Sequence, residues 1–200
     1  MKISETGLEG AFVVDLDVHP DARGSFTELL PAGLLSDLPD FRPSRVVQIN
    51  ASRSGKGVLR GLHAVKRLPG QAKYVTCLAG AIHDVIVDVR AESRTFGRHF
   101  AIELSGSPTR QALFVPPGFA HGFLSLEPDT IVVYATSGPY DPSAEFAICA
   151  TDFALGITWP STGAVLRSQK DLNAPSLSWI ASNRTGLLRI ADDTESHEPR

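Results

Sequence analysis

The stretch Ile82-His83-Asp84-Val85-Ile86-Val87-Asp88-Val89-Arg90 decides the fold class of this chain. Val85, Val87 and Val89 fall on one side of an extended backbone. Asp84, Ile86, Asp88 and Arg90 fall on the other, the period of two expected of a half-buried β-strand. His83 shares the apolar side. Working outward, the same alternation recurs in Ala11 to Val18, Arg45 to Asn50, Lys73 to Leu78, Phe100 to Leu104 and Ile131 to Thr136. Turn signals separate these runs: Leu68-Pro69-Gly70, Ala79-Gly80, Ser105-Gly106-Ser107-Pro108, Pro116-Pro117-Gly118 and Ser137-Gly138-Pro139. Strands at roughly 8–12-residue spacing between such turns predict an all-β sandwich or barrel. No long amphipathic helix alternates with them, which argues against βαβ architecture. Short helical turns are expected around Pro31 to Asp37 and after Asp171.

Composition agrees with this reading. The chain has 200 residues, 42% hydrophobic and 20% charged, in the range of an ordinary globular domain rather than a disordered, collagenous or coiled-coil chain. We expect one domain over 1–190 and a frayed polar tail over 191–200. Gly 17 and Pro 14 punctuate the chain too often for long helices. Lys+Arg 19 against Asp+Glu 22 leaves a net charge of -3, without the basic excess of a nucleic-acid binder. No signal peptide or membrane-length apolar run is visible, so we expect a cytoplasmic protein and no membrane partner. Cys77 and Cys149 sit in apolar runs and read as buried reduced thiols.

Several residues stand out chemically. Gly57-Val58-Leu59-Arg60-Gly61-Leu62-His63 sets Arg60 and His63 in a glycine-punctuated segment. Lys73 begins a strand ten residues later. A second histidine lies in Phe119-Ala120-His121-Gly122-Phe123, Tyr134 sits mid-strand, and Ser168-Gln169-Lys170-Asp171 joins a cation to a carboxylate. Each has an ordinary explanation when taken singly. His63 reads as a packed histidine, Lys73 as a solvated edge lysine, Tyr134 as a core aromatic, and Asp171 as a helix cap. Asp84 and Asp88 read with Arg90 as an ion-pair ladder. His63, His83, His99 and His121 lack a His-x-His pair, which counts against a metal-dependent cupin without excluding a two-histidine-plus-carboxylate site.

Taken in order, the motifs are more specific. They run Asp21-Ala22-Arg23-Gly24-Ser25-Phe26-Thr27-Glu28, Gln48-Ile49-Asn50, Gly57 to His63, Gln71-Ala72-Lys73-Tyr74-Val75 and Asp84 to Arg90. Thr95-Phe96-Gly97, Ala120-His121-Gly122-Phe123, Leu155 to Pro160 and Ser168 to Asp171 follow. This series resembles the dTDP-4-dehydrorhamnose 3,5-epimerase family, metal-free sugar-nucleotide epimerases of the cupin superfamily, from about Leu8 to Leu188. The resemblance implies a cupin-type jelly-roll β-barrel with a few short peripheral helices, a homodimer, no metal and no cofactor. The implied reaction converts dTDP-4-dehydro-6-deoxy-α-D-glucose to dTDP-4-dehydro-β-L-rhamnose by epimerisation at C3 and C5.

Under that resemblance each residue type has a task. The hydrogens on C3 and C5 flank a ketone, so their removal gives an enolate and calls for a base working near neutrality. His63 matches the base, Asp171 the carboxylate that orients it, Lys73 the cation beside the enolate oxygen, and Tyr134 the acid that returns a proton from the opposite face. Arg23, Glu28, Gln48, Asn50, Arg60, His121, Glu145 and Lys170 match substrate- or nucleotide-binding positions. Tyr140 matches an aromatic that stacks on thymine. The segment bearing Arg23 is expected to reach a partner subunit. Ala64, Ala135 and Pro139 replace bulkier residues of some members, which keeps a C3-only or C5-only epimerase as the alternative. A binding module without catalysis would not require the set His63, Lys73, Tyr134 and Asp171.

Overall fold

The computed structural model describes residues 1–31, 34, 46–66, 70–107 and 110–183. Thirteen strands are formed among them. A six-stranded sheet runs β1-β2-β10-β7-β12-β5, and a five-stranded sheet runs β13-β6-β11-β8-β9. In the first sheet these are Lys2–Glu5, Phe12–Leu16, Arg110–Val115, Lys73–Ala79, Thr130–Thr136 and Gln48–Ser54. In the second they are Glu145–Ala147, Leu59–Val65, Phe119–Ser125, Ala81–Asp88 and His99–Ser105. β3 (Val18–Asp21) and β4 (Gly24–Thr27) form a separate hairpin. Neighbours within each sheet are antiparallel, and most pair across long sequence separations, as in β2 with β10 and β8 with β11. This is the all-β, jelly-roll barrel of the cupin type.

The two sheets enclose a core that closes one end of the barrel. Val75, Cys77, Leu113 and Val132 from the first sheet meet Ile82, Ile86, Phe119 and Phe123 from the second. Each fully buried side chain of the size of Ile86 contributes about 1.5–3 kcal/mol through burial. Tyr134 packs onto this cluster from above, so the core doubles as a floor for the site.

Strand β8 is buried on both faces, not on one. Ile82 and Ile86 point into the barrel core, while Val85, Val87 and Val89 pack beneath Ile148, Leu155, Leu177 and Ile180. The cover comes from distant sequence: a 3-10 turn at Phe153–Leu155 and helix α2 (Leu177–Asn183). His83 does share the valine side and lies edge-on to Trp159, with centroids 5.6 Å apart. The ladder expected of Asp84, Asp88 and Arg90 does not form. Asp88 pairs with Arg90 and accepts from Ser93 and Thr95, whereas Asp84 turns to His121.

The strand expected over Arg45 to Asn50 runs instead over β5, Gln48 to Ser54. Its inward residues Gln48, Asn50, Ser52 and Ser54 are polar and the outward Ile49 is 66% exposed. The strand expected over Ala11 to Val18 ends at Leu16, and Val18 opens the β3–β4 hairpin. Helical segments follow as expected near Asp171: α1 (Gln169–Leu172), then α2. Of the turn expected from Pro31 to Asp37, only Pro31 and Leu34 are described. Most of Leu68-Pro69-Gly70, Pro108 in the turn Ser105-Gly106-Ser107-Pro108, and the tail 191–200 also lie outside the described residues. No helix of the described residues is long and apolar enough to cross a membrane.

Candidate active site

A cleft of about 760 Å³ opens between the two sheets above the core. One wall comes from β6 and β11. His63 and His121 are direct antiparallel partners there, so both imidazoles project from the same face. Glycines bring these strands together. A Cβ on Gly122 would stand 2.5 Å from the carbonyl oxygen of Arg60, and one on Gly61 would stand 2.6 Å from that of His121. Gly61 also has φ +101, which other residues rarely adopt. The ladder register shifts between His121 and Phe123 at this crossing.

Each histidine carries its own carboxylate. His63 Nε2 lies 2.6 Å from Asp171 Oδ1, and His121 Nε2 lies 2.8 Å from Asp84 Oδ1. Asp171 arrives from the first turn of α1. Ser168, not Asp171, caps that helix, accepting from the Asp171 N–H at 3.1 Å. Backbone bonds between Leu166 and both Gly57 and Leu59 pin the approach to this helix beside β6. Asp171 is 3% exposed, so its charge acts with little solvent screening. With Nε2–H donating to Asp171, Nδ1 keeps the lone pair a base needs. Glu145 Oε1 stands 3.7 Å from Nδ1, beyond hydrogen-bond reach, and Glu145 is itself held by Lys170.

The facing wall belongs to the six-stranded sheet. Tyr134 pairs in register with Val75 and Asn50, which puts Lys73 two residues along the neighbouring strand on the same inward face. Burial pushes the Lys73 ammonium below its ordinary range, against the opposing pull of Glu145 and Asp84. The Lys73 ammonium makes no hydrogen bond among the described residues, which leaves its donors for an oxygen in the cleft. Burial raises the Tyr134 phenol, Glu145 adds to the rise, and Arg60 opposes it. Tyr134 is therefore a proton-bearing donor at neutral pH.

The remaining cleft residues are polar. Arg60 spans from β6 to β5, donating from Nε to Ser54 Oγ at 3.1 Å and from Nη2 to the Arg53 carbonyl at 3.4 Å. Gln48 donates to Asn50 Oδ1 at 2.6 Å and accepts from the Tyr140 N–H at 3.0 Å. Tyr140 stands at the mouth, 61% exposed. Eleven of the thirteen residues singled out in the sequence meet here: His63, Lys73, Tyr134 and Asp171 with Gln48, Asn50, Arg60, His121, Tyr140, Glu145 and Lys170. Arg23 and Glu28 do not. Both are exposed at the β3–β4 hairpin, and Arg23 is paired with Asp21 at 2.6 Å.

Three further residues at the cleft were given no place in it by the sequence reading. Asp84 is fully buried as the partner of His121, and Ser52 lines the cleft with a buried hydroxyl that has no partner among the described residues. Gln71 also borders the cleft. Spacing could have found two of them. Ser52 continues the alternation of Gln48 and Asn50, and Asp84 shares the inward parity of Ile86. Among the described residues, no group of three or more His, Cys, Asp or Glu is arranged to hold a metal ion.

An imidazole paired with a carboxylate on one wall, facing an ammonium and a phenol on the other, is a constellation suited to an isomerase that moves protons next to a carbonyl. The sequence profile described as dTDP-4-dehydrorhamnose 3,5-epimerase matches residues 5–178. The dTDP-4-dehydrorhamnose 3,5-epimerase of Mycobacterium tuberculosis is 39% identical, over 98% of this chain and 96% of that protein. The dTDP-4-dehydrorhamnose 3-epimerase of Streptomyces niveus is 37% identical, over 94% of this chain and 88% of that one. The crystal structure of the dTDP-6-deoxy-D-glucose-3,5-epimerase of Legionella pneumophila in complex with dTDP-4-keto-L-rhamnose superposes with a TM-score of 0.84. It is 37% identical and covers 94% of this chain and 99% of its own. The chain belongs to the dTDP-4-dehydrorhamnose 3,5-epimerase family.

Proposed function

We propose that this enzyme epimerises dTDP-4-dehydro-6-deoxy-α-D-glucose at C3 and C5, giving dTDP-4-dehydro-β-L-rhamnose. The observation that carries the reading is the placement of His63 and Tyr134 on opposite walls of one cleft, with Lys73 beside Tyr134. His63 removes the proton from a carbon next to the ketone. The C–H electron pair moves into the ring and onto the carbonyl oxygen, forming an enolate stabilised by the Lys73 ammonium. Tyr134 then delivers its proton to the same carbon from the other wall, inverting it. The proton held by His63 exchanges with solvent, and the Tyr134 phenolate recovers one.

Asp171 fixes the His63 tautomer and stabilises the imidazolium once formed. His121, backed by Asp84, adds a second polar imidazole beside the sugar. Arg60, Lys170, Gln48 and Asn50 supply cations and amides for a diphosphate, and Tyr140 supplies a face for the thymine. Glu145 holds Lys170 in place between these two regions.

The working unit we propose is a homodimer, with Arg23 and Glu28 serving the cleft of a second copy. Both residues lie outside their own cleft, and Phe26 beside them is 65% exposed. Ile49 faces outward on β5, the edge strand of its sheet, a surface that pairing would cover. Free thiols at Cys77 and Cys149 suit a reducing compartment, and we place the enzyme in the cytoplasm.

A second reading is a C3-only epimerase, favoured by the Streptomyces niveus relative. Incubating dTDP-4-dehydro-6-deoxy-α-D-glucose with the enzyme and assigning product configuration by NMR separates the two. Inversion at both carbons supports the proposal. Inversion at C3 alone selects the second reading, and no inversion overturns both.

A further inference from the structure

The ring of Tyr140 stands at the cleft mouth with most of its surface in solvent. Side-chain packing therefore does little to hold it, and its position rests on the backbone that carries it. That backbone is the short segment Ser137-Gly138-Pro139-Tyr140, which follows directly from β12 and so also continues from Tyr134.

The segment is tied on several sides. The Gln71 carboxamide donates from Nε2 to the Gly138 carbonyl at 2.8 Å and to the Pro139 carbonyl at 3.2 Å. The Thr136 hydroxyl donates to the same Gly138 carbonyl at 2.8 Å. Ser137 exchanges bonds with the backbone of Ala72, which sits between Gln71 and Lys73. Gln48 accepts from the Tyr140 N–H at 3.0 Å. Gln71 alone among these side chains grips two successive carbonyls, immediately before the aromatic residue. Pro139 has no N–H to offer, so its carbonyl is the group by which it can be anchored.

We infer that Gln71 is a positioning residue for nucleotide binding. By fixing the Gly138 and Pro139 carbonyls, it sets the Tyr140 ring as a preformed stacking surface before the nucleotide arrives, sparing binding the cost of ordering the loop. Because Gln71 leads straight into Lys73 at the start of β7, the same short segment ties the nucleotide end of the cleft to its reacting end. This inference rests on the reading of Tyr140 as the thymine-stacking residue.

The test is a double-mutant cycle read by calorimetric titration of dTDP. Gln71→Ala and the nearly isosteric Gln71→Glu, which lacks the amide donors, should each weaken dTDP about tenfold, the equivalent of one hydrogen bond. KM for the sugar nucleotide should rise in step while kcat stays within about twofold, as uniform binding loss requires. In a Tyr140→Ala background, Gln71→Ala should change the dTDP affinity by less than about twofold. If Tyr140→Ala weakens dTDP but neither Gln71 variant does, or if the two losses add in full, Gln71 does not act through Tyr140 and the inference is overturned. If Tyr140→Ala itself leaves dTDP affinity intact, the stacking reading fails and the inference with it.

Discussion

His63 Nε2 and Asp171 Oδ1 lie 2.6 Å apart across 108 residues of chain. The contact joins β6, second from the edge of its sheet, to the first turn of α1, and a proton donated from Nε2 leaves the lone pair of His63 on Nδ1. Asp171→Asn keeps the shape of this contact but removes the charge and allows the opposite tautomer. We expect kcat to fall about 10²-fold or more with little change in KM, measured by steady-state kinetics.

Lys73 is costly to the fold, and in the proposed reaction it stands beside the enolate oxygen. Burial lowers its pKa, so folding is penalised while the ammonium is charged. That penalty is full below the folded pKa and fades as pH rises toward the ordinary lysine value of about 10.4. Lys73→Met should therefore melt at a higher temperature than the natural enzyme at pH 7, with the gap closing in alkali. Its kcat should fall about 10²–10³-fold for loss of the enolate partner. A lower melting temperature at pH 7 would show that the charge is compensated in the folded chain.

The close approach of β6 and β11 depends on side-chain absence. Gly122→Ala would drive a methyl group into the Arg60 carbonyl at 2.5 Å. The expected cost is about 1–3 kcal/mol in chemical denaturation. Activity should drop beyond the folded fraction, because the strands that move carry His63 and His121.

Asp88 lies outside the cleft and anchors the turn after β8. Burial alone would raise its pKa, but hydrogen bonds from Arg90, Ser93 and Thr95 together bring it below the ordinary carboxylate range. Its contribution is thus present above about pH 4 and is lost as pH falls through the lowered folded value. Asp88→Asn should lose about 3–5 kcal/mol at pH 7, where it breaks the buried ion pair with Arg90. The gap from the natural enzyme should narrow in acid, and activity per folded molecule should hold.

The strands were legible in the sequence wherever one face meets a core. Val85, Val87 and Val89 marked β8 by alternation alone, and Phe100 and Leu104 marked β9. What alternation cannot report is a second cover brought from far along the chain, as Leu155, Leu177 and Ile180 are brought onto β8. β5 misled for a different reason. Its inward face lines a wet cleft, so Gln48, Asn50, Ser52 and Ser54 are polar where a core strand would be apolar. Ordered motifs singled out His63, Lys73, Tyr134 and Asp171, which the fold brings into one cleft. Parity placed Asp84 on the inward face but not its partner, because a carboxylate four residues from another on one strand looks the same whether it meets an arginine or a histidine. Arg23 and Glu28 were legible as residue types, yet their own cleft does not contain them.

The central claim is that His63 strips protons from both carbons flanking the ketone. The direct measurement is deuterium uptake from heavy water into dTDP-4-dehydro-6-deoxy-α-D-glucose, followed by NMR in the natural enzyme and in His63→Ala. The account predicts label at both C3 and C5 with the natural enzyme and at neither with the variant. Uptake that persists undiminished in His63→Ala, or that is missing from both positions in the natural enzyme, would contradict it.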